Sequence, residues 1–107
     1  MYKVIVFAGT TEGCILCETL AENGIPVYAC VATEYGETLL PTADNLTISA
    51  KRLPVDEITQ LLSKTAFDLV IDTTHPYAAS ITESISAACQ ATGTEYLRLL
   101  RGASELS

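Results

Sequence analysis

A doubly wound α/β fold, five parallel strands in a three-layer arrangement, is the architecture this sequence predicts. Apolar runs of strand length alternate with helix-periodic segments from one end of the chain to the other. Most connections are short, and a β-α alternation with short connections means parallel pairing through right-handed crossovers. The first and fourth runs are continuously apolar, as expected of strands covered by helices on both faces.

Val4 to Ala8 is the first strand, and it ends at Gly9. Thr11 to Asn23 reads as a helix with Ile15, Leu16, Thr19 and Leu20 on one face and Gly24 placed to terminate it. Pro26 to Val31 is the second strand and Leu46 to Ser49 a shorter third. Between them Glu34 to Asn45 is rich in turn residues and reads as a loop. Val55 to Lys64 is the second helix: Ile58, Leu61 and Leu62 share a face, with Asp56 and Glu57 early and Lys64 late to match the helix dipole. Leu69 to Ile71 is the fourth strand. Pro76 to Thr92 is the third helix, with Ile81, Ile85, Ala88 and Cys89 inward and Gly93 after its end, and Tyr96 to Leu100 is the fifth strand. The expected sheet order is 2-1-3-4-5, Rossmann- or flavodoxin-like, with residues 1–107 forming one domain without internal repeat or linker.

The totals narrow the partners. A net charge of -7, from 13 acids against 6 bases, disfavours nucleic acid and anionic membranes and leaves a small molecule as the expected ligand. The longest apolar stretches are strand-sized and the amino terminus lacks the regions of a signal peptide, so a cytoplasmic place is expected. Four cysteines in that setting are expected to be reduced rather than paired. No metal-ligand cluster is read in the chain.

Ligands of such sheets bind beyond the carboxyl ends of the strands, near the point where the strand order reverses. Gly9-Thr10-Thr11-Glu12-Gly13 joins the first strand to a helix, where backbone N–H groups and the helix dipole hold a phosphate; the alternative is a helix-capping turn. Thr73-Thr74-His75-Pro76-Tyr77 puts the only histidine and an aromatic ring at a second strand-to-helix junction. His75 there acts as proton donor, hydrogen-bond donor or simple cap, and Asp72 beside it orients a threonine hydroxyl or starts the turn. Lys51, Arg52, Arg98 and Arg101 lie in or just beyond the third and fifth strands, so that edge is locally positive and fits an anionic ligand. Arg98 interrupts an apolar strand and needs a partner if buried. Cys14-Ile15-Leu16-Cys17 is a C-x-x-C near a helix start, which motivates a thioredoxin-like alternative, with two packed thiols as the plainer reading. A non-catalytic nucleotide-binding module is the other alternative.

Gly-Thr-Thr-Glu-Gly at 9–13, Ala-Thr-Glu-Tyr-Gly at 32–36, Arg-Leu at 52–53, Val-Ile-Asp-Thr-Thr-His-Pro-Tyr-Ala at 70–78, Ala-Cys at 88–89 and Tyr-Leu-Arg-Leu at 96–99 resemble, in order and spacing, the amino-terminal half of the precorrin-6A reductase family. The resemblance implies two doubly wound halves with NADPH or NADH and the macrocycle, precorrin-6A or cobalt-precorrin-6A, bound between them. It makes the chain one half of an NAD(P)H-dependent oxidoreductase acting on CH–CH bonds in cobalamin biosynthesis, with the other half supplied in cis or in trans. It assigns cofactor contacts to Gly9, Thr10, Thr11, Glu12, Gly13, Thr33, Tyr35 and Gly36. Substrate contacts fall to Arg52, His75, Pro76 and Tyr77, with His75 and Tyr77 as the candidate catalytic pair, and the positive edge read above adds Arg101 to the substrate contacts. The chain departs from the family pattern at Cys14 where Arg is usual, Lys51 for Gly, Thr73 for Ala and Gly102 for Pro. By this resemblance members run to about twice the domain content of this chain.

Overall fold

Five strands run parallel and end on one edge: β1 Val4–Phe7, β2 Val27–Cys30, β3 Leu46–Ser49, β4 Leu69–Asp72 and β5 Tyr96–Arg98. Among the described residues three helices connect them, α1 Thr11–Glu22 after β1, α2 Val55–Lys64 after β3 and α3 Ala79–Thr92 after β4. This computed structural model describes residues 3–8, 11–31, 44–49, 54–74 and 79–99.

The sheet order is β3-β2-β1-β4-β5, which corrects the expected 2-1-3-4-5. The third strand lies outside β2 instead of between β1 and β4. Its side chains explain the placement: Leu46 is buried but Thr47 is exposed, and a strand so built cannot sit in the middle of a sheet covered on both sides. The three interior strands are the apolar ones, with Val4 to Phe7 of β1 buried throughout. β5 closes the other edge, with Leu97 and Leu99 each 42% exposed. The correction moves the reversal point, which now falls between β1 and β4, paired Val4 to Leu69 through Phe7 to Asp72.

Strand alternation sorts the core into two layers. Val4, Val6, Ala8, Val27, Ala29, Val31, Leu46 and Ile71 face α1, and Ile5, Phe7, Cys30 and Val70 face α2 and α3 through Ile58, Leu62, Ile85, Ala88 and Cys89. Among the described side chains of α1 the buried ones are Cys14 and Cys17, with Leu16, Leu20 and Ala21 packed beside them. Ile15 is 57% exposed and Thr19 is exposed too, so the inward stripe expected on that helix is rotated. The cause is Gly13, whose missing side chain lets this line of the helix, and not the bulkier one beside it, come down on the strands.

Two helices stop as their glycines predict. Gly24 has φ +78° and Gly93 φ +69°. After α1 the Ile25 N–H donates to the Leu20 carbonyl and the Gly24 N–H to Ala21, both at 3.0 Å, and after α3 the Thr94 N–H reaches Cys89 at 3.0 Å. These bonds absorb carbonyls that the helix ends leave free. On α2, Asp56 and Glu57 occupy the first turn and Lys64 the last, as the dipole favours.

Candidate functional site

β1 and β4 finish side by side at the reversal point, and Thr73 fastens them together. Its N–H donates to the Phe7 carbonyl at 3.1 Å and its hydroxyl donates to the same oxygen at 2.8 Å. α1 begins three residues after Ala8, and Gly13 in its first turn is buried against this junction. A Cβ on Gly13 would strike the Thr73 hydroxyl and lie 2.9 Å from the Ala8 Cα. No side chain fits there, so the amino end of α1 sits directly over the β1/β4 crevice. The amino end of a helix carries the positive end of its dipole, so this end of α1 suits an anion.

Asp72 at the end of β4 is wholly buried, and donors from several elements surround it. Its Oδ1 accepts from the Thr74 N–H at 2.9 Å, the Thr74 hydroxyl at 2.6 Å and Arg98 Nη1 at 3.0 Å. Its Oδ2 accepts from the Thr82 hydroxyl and the Tyr96 hydroxyl, both at 2.9 Å. Arg98 Nη1 also donates to the Thr74 carbonyl at 2.9 Å. Burial by itself pushes the Asp72 carboxyl up, but the bonds from Thr74, Thr82 and Tyr96 outweigh it and hold the group below the usual carboxylate range. Burial, then the bond to Asp72, pushes the Tyr96 phenol up.

Both readings of Asp72 hold: it starts the turn through the Thr74 N–H and orients the Thr74 hydroxyl. The partner that a buried Arg98 needs is this carboxylate. Arg98 therefore does not add a free positive charge to the ligand edge, contrary to the count of four cations made from the sequence. Thr82 and Tyr96 were missed. Tyr96 stands two residues before Arg98 and so on the same face of β5, a signal that only the Asp72–Arg98 register turns into a contact.

Cys14 and Cys17 are packed thiols: both are buried, burial pushes Cys14 up, and burial with the neighbouring Cys14 pushes Cys17 up to about 12. A redox couple needs a depressed, accessible thiol, so the thioredoxin-like alternative is corrected. Of the candidate cofactor residues, Thr11 and Glu12 open α1 and Gly13 lies in the crevice. Gly9, Thr10, Thr33, Tyr35, Gly36, Arg52, His75, Pro76, Tyr77 and Arg101 lie outside the described residues. Among the described residues no group of three His, Cys, Asp or Glu could hold a metal ion, and no helix is long and apolar enough to cross a membrane.

The same architecture occurs in known proteins. An epimerase from Methanothermobacter thermautotrophicus, 18% identical with a TM-score of 0.70 over 91% of this chain and 34% of its own, shares the fold. The structure of a CobK precorrin-6A reductase superposes with a TM-score of 0.78 at 31% identity, over 92% of this chain and 39% of that one. In sequence the chain is similar to a cobalt-precorrin-6A reductase of Methanothermobacter thermautotrophicus, 35% identical over 92% of this chain and 33% of the relative. It is similar also to a precorrin-6A reductase of Rhodobacter capsulatus, 34% identical over 87% of this chain and 36% of the relative. The chain thus spans about a third of the length of these curated relatives, less than the half expected from the sequence. The family model for precorrin-6x reductase, CbiJ/CobK, matches residues 3–106, and the chain belongs to that family.

Proposed function

We propose that this chain is the nucleotide-binding part of a reductase that reduces one double bond of precorrin-6A or cobalt-precorrin-6A during cobalamin biosynthesis, using NADPH or NADH. The observation that carries the proposal is the seating of α1 on the β1/β4 reversal point of a chain belonging to this family, so close that Gly13 has no room for a side chain. Dinucleotide-binding folds use a glycine for this close packing of the first helix on the first strand, which leaves the helix amino end at the reversal point where the pyrophosphate sits, so the residues present fit the cofactor. Gly9, Thr10, Thr11, Glu12 and Gly13 would hold it, with Thr33, Tyr35 and Gly36 beside them. When bound, the reduced nicotinamide supplies hydride.

The remaining work falls to the protein. Arg52 and Arg101 counter the carboxylates of the macrocycle, while Pro76 and Tyr77 position its ring. His75 holds the proton that the reduced product needs, with Tyr77 as the second candidate. All four cysteines are free and buried, which suits a reducing cytoplasm. The rest of the enzyme, in cis or in trans, completes the site.

The test has two arms. Titration with NADPH and NADH, followed by amide NMR, is expected to shift residues 9–13, and the complete enzyme is expected to reduce precorrin-6A with either nucleotide. No amide response at millimolar nucleotide removes the cofactor assignment. Nucleotide binding without turnover of the macrocycle favours a non-catalytic module instead.

A further inference from the structure

The Asp72 carboxylate is joined to both flanks of residues 75–78. Oδ1 takes the Thr74 N–H and hydroxyl, on the β4 side, and Oδ2 takes the Thr82 hydroxyl, on the α3 side. The two threonine hydroxyl oxygens are consequently only 3.2 Å apart, although eight positions separate them in sequence. Arg98 and Tyr96 of β5 hold the carboxylate from behind, and Arg98 adds a bond to the Thr74 carbonyl. A buried ion pair is weak evidence for stability, because apolar residues of similar volume commonly do as well or better. What this one supplies is a fixed separation between the end of β4 and the first turns of α3.

We infer that Asp72 is a positioning residue: through Thr74 and Thr82 it sets the two ends from which segment 75–78, with His75 and Tyr77, departs. The inference rests on the proposed reductase reading, which places those two residues in the reaction. Asp72 is wholly buried, so it acts through the residues it holds. Thr82 is the probe of choice, since it contributes one bond to Asp72 and is only half-buried, so its replacement leaves the ion pair and the fold in place.

Thr82→Val and Thr82→Ser are compared with the parent in two measurements. In the complete reductase, Thr82→Val is expected to lower kcat roughly 10-fold while KM for the nucleotide stays within about 2-fold, on the scale of a sub-ångström misplacement, and Thr82→Ser to keep at least about half of the parental kcat. In hydrogen exchange, the peptide covering 74–82 is expected to exchange roughly 10-fold faster in Thr82→Val but not in Thr82→Ser, with the peptide covering 85–92 unchanged. Unchanged exchange over 74–82, equal losses in the two variants, or parental kcat in Thr82→Val in an active enzyme each overturns the inference. If the parent enzyme does not reduce precorrin-6A, the reductase reading falls, and the exchange comparison still decides whether Asp72 positions this junction.

Discussion

Replacing Gly13 by Ala tests the geometry on which the nucleotide site depends. The added methyl would collide with the Thr73 hydroxyl and would lie 2.9 Å from Ala8 Cα and 3.1 Å from Ala8 Cβ, which are core backbone and its stub and cannot swing aside. Two losses follow. Forcing α1 off β1 is an overpacking change of about 1–3 kcal/mol. Displacing the Thr73 hydroxyl ends its 2.8 Å bond to the Phe7 carbonyl, worth about 1 kcal/mol net, since the Thr73 N–H still satisfies that oxygen. Together they amount to about 2–4 kcal/mol. At about 4–8 °C per kcal/mol for a domain of this size, Tm should fall by roughly 10–30 °C in a circular-dichroism melt. Thr73→Ala alone should lower Tm by only about 4–8 °C on the same scale. The double variant should stand above Gly13→Ala, because the hydroxyl clash is gone and only the Ala8 contacts remain. A Gly13→Ala protein melting within about 3 °C of the parent, or a double variant no more stable than Gly13→Ala, would refute the close seating of α1.

The thiols give a second expectation, on the alkaline side. Burial pushes Cys17 and Cys30 up to about 12 and Cys89 up to about 11, so each favours its protonated form in the fold; that stability is full below the ordinary thiol value near 9 and is lost as pH rises towards 11–12. The unfolding free energy from urea titration should drop steeply above pH 9, by about 1.4 kcal/mol per pH unit per thiol, and Cys14→Ser with Cys17→Ser should leave reductase activity within a few fold. A reversible Cys14–Cys17 disulfide would contradict both. On the acid side Asp72, held below its ordinary value, contributes stability above about pH 4 that is lost as pH falls through its folded value. Arg98→Ala leaves that carboxylate buried with neutral donors only, a loss of about 2–4 kcal/mol in urea unfolding at pH 7; a loss under 1 kcal/mol would mean the pair is dispensable. In the complete enzyme Arg52→Ala or Arg101→Ala is expected to raise KM for the macrocycle roughly 10-fold, the scale of a lost charge-assisted hydrogen bond. His75→Ala should lower kcat more than it raises KM; the reverse would make His75 a binding residue only.

Much of this fold was legible because local patterns and burial agree. Val4 to Phe7 and Leu69 to Ile71 could be read as interior strands from their unbroken apolar runs, and Gly24 and Gly93 as helix stops because only a positive φ completes those ends. Strand order is harder, being a choice among distant partners. Yet Leu46-Thr47-Ile48-Ser49 carried the deciding signal: with hydroxyls on alternate positions it can bury one face only, and an edge strand is the one place that accepts this. The misread face of α1 has a similar root. Hydrophobicity favours Ile15 over Cys14, but how closely a helix can approach decides which line it buries, and that was written in Gly13. The site followed the same rule. Arg98 announced that it needed a partner, whereas Thr82 and Tyr96 became readable only once the register set Asp72 against Arg98. Strand order also bears directly on function. In 2-1-3-4-5 the segment after β1 would neighbour the one after β3, with Lys51 and Arg52; in the observed order β1 ends beside β4. The glycine-rich turn and the His75 segment therefore leave from adjacent strands, the arrangement needed if one ligand is to meet both.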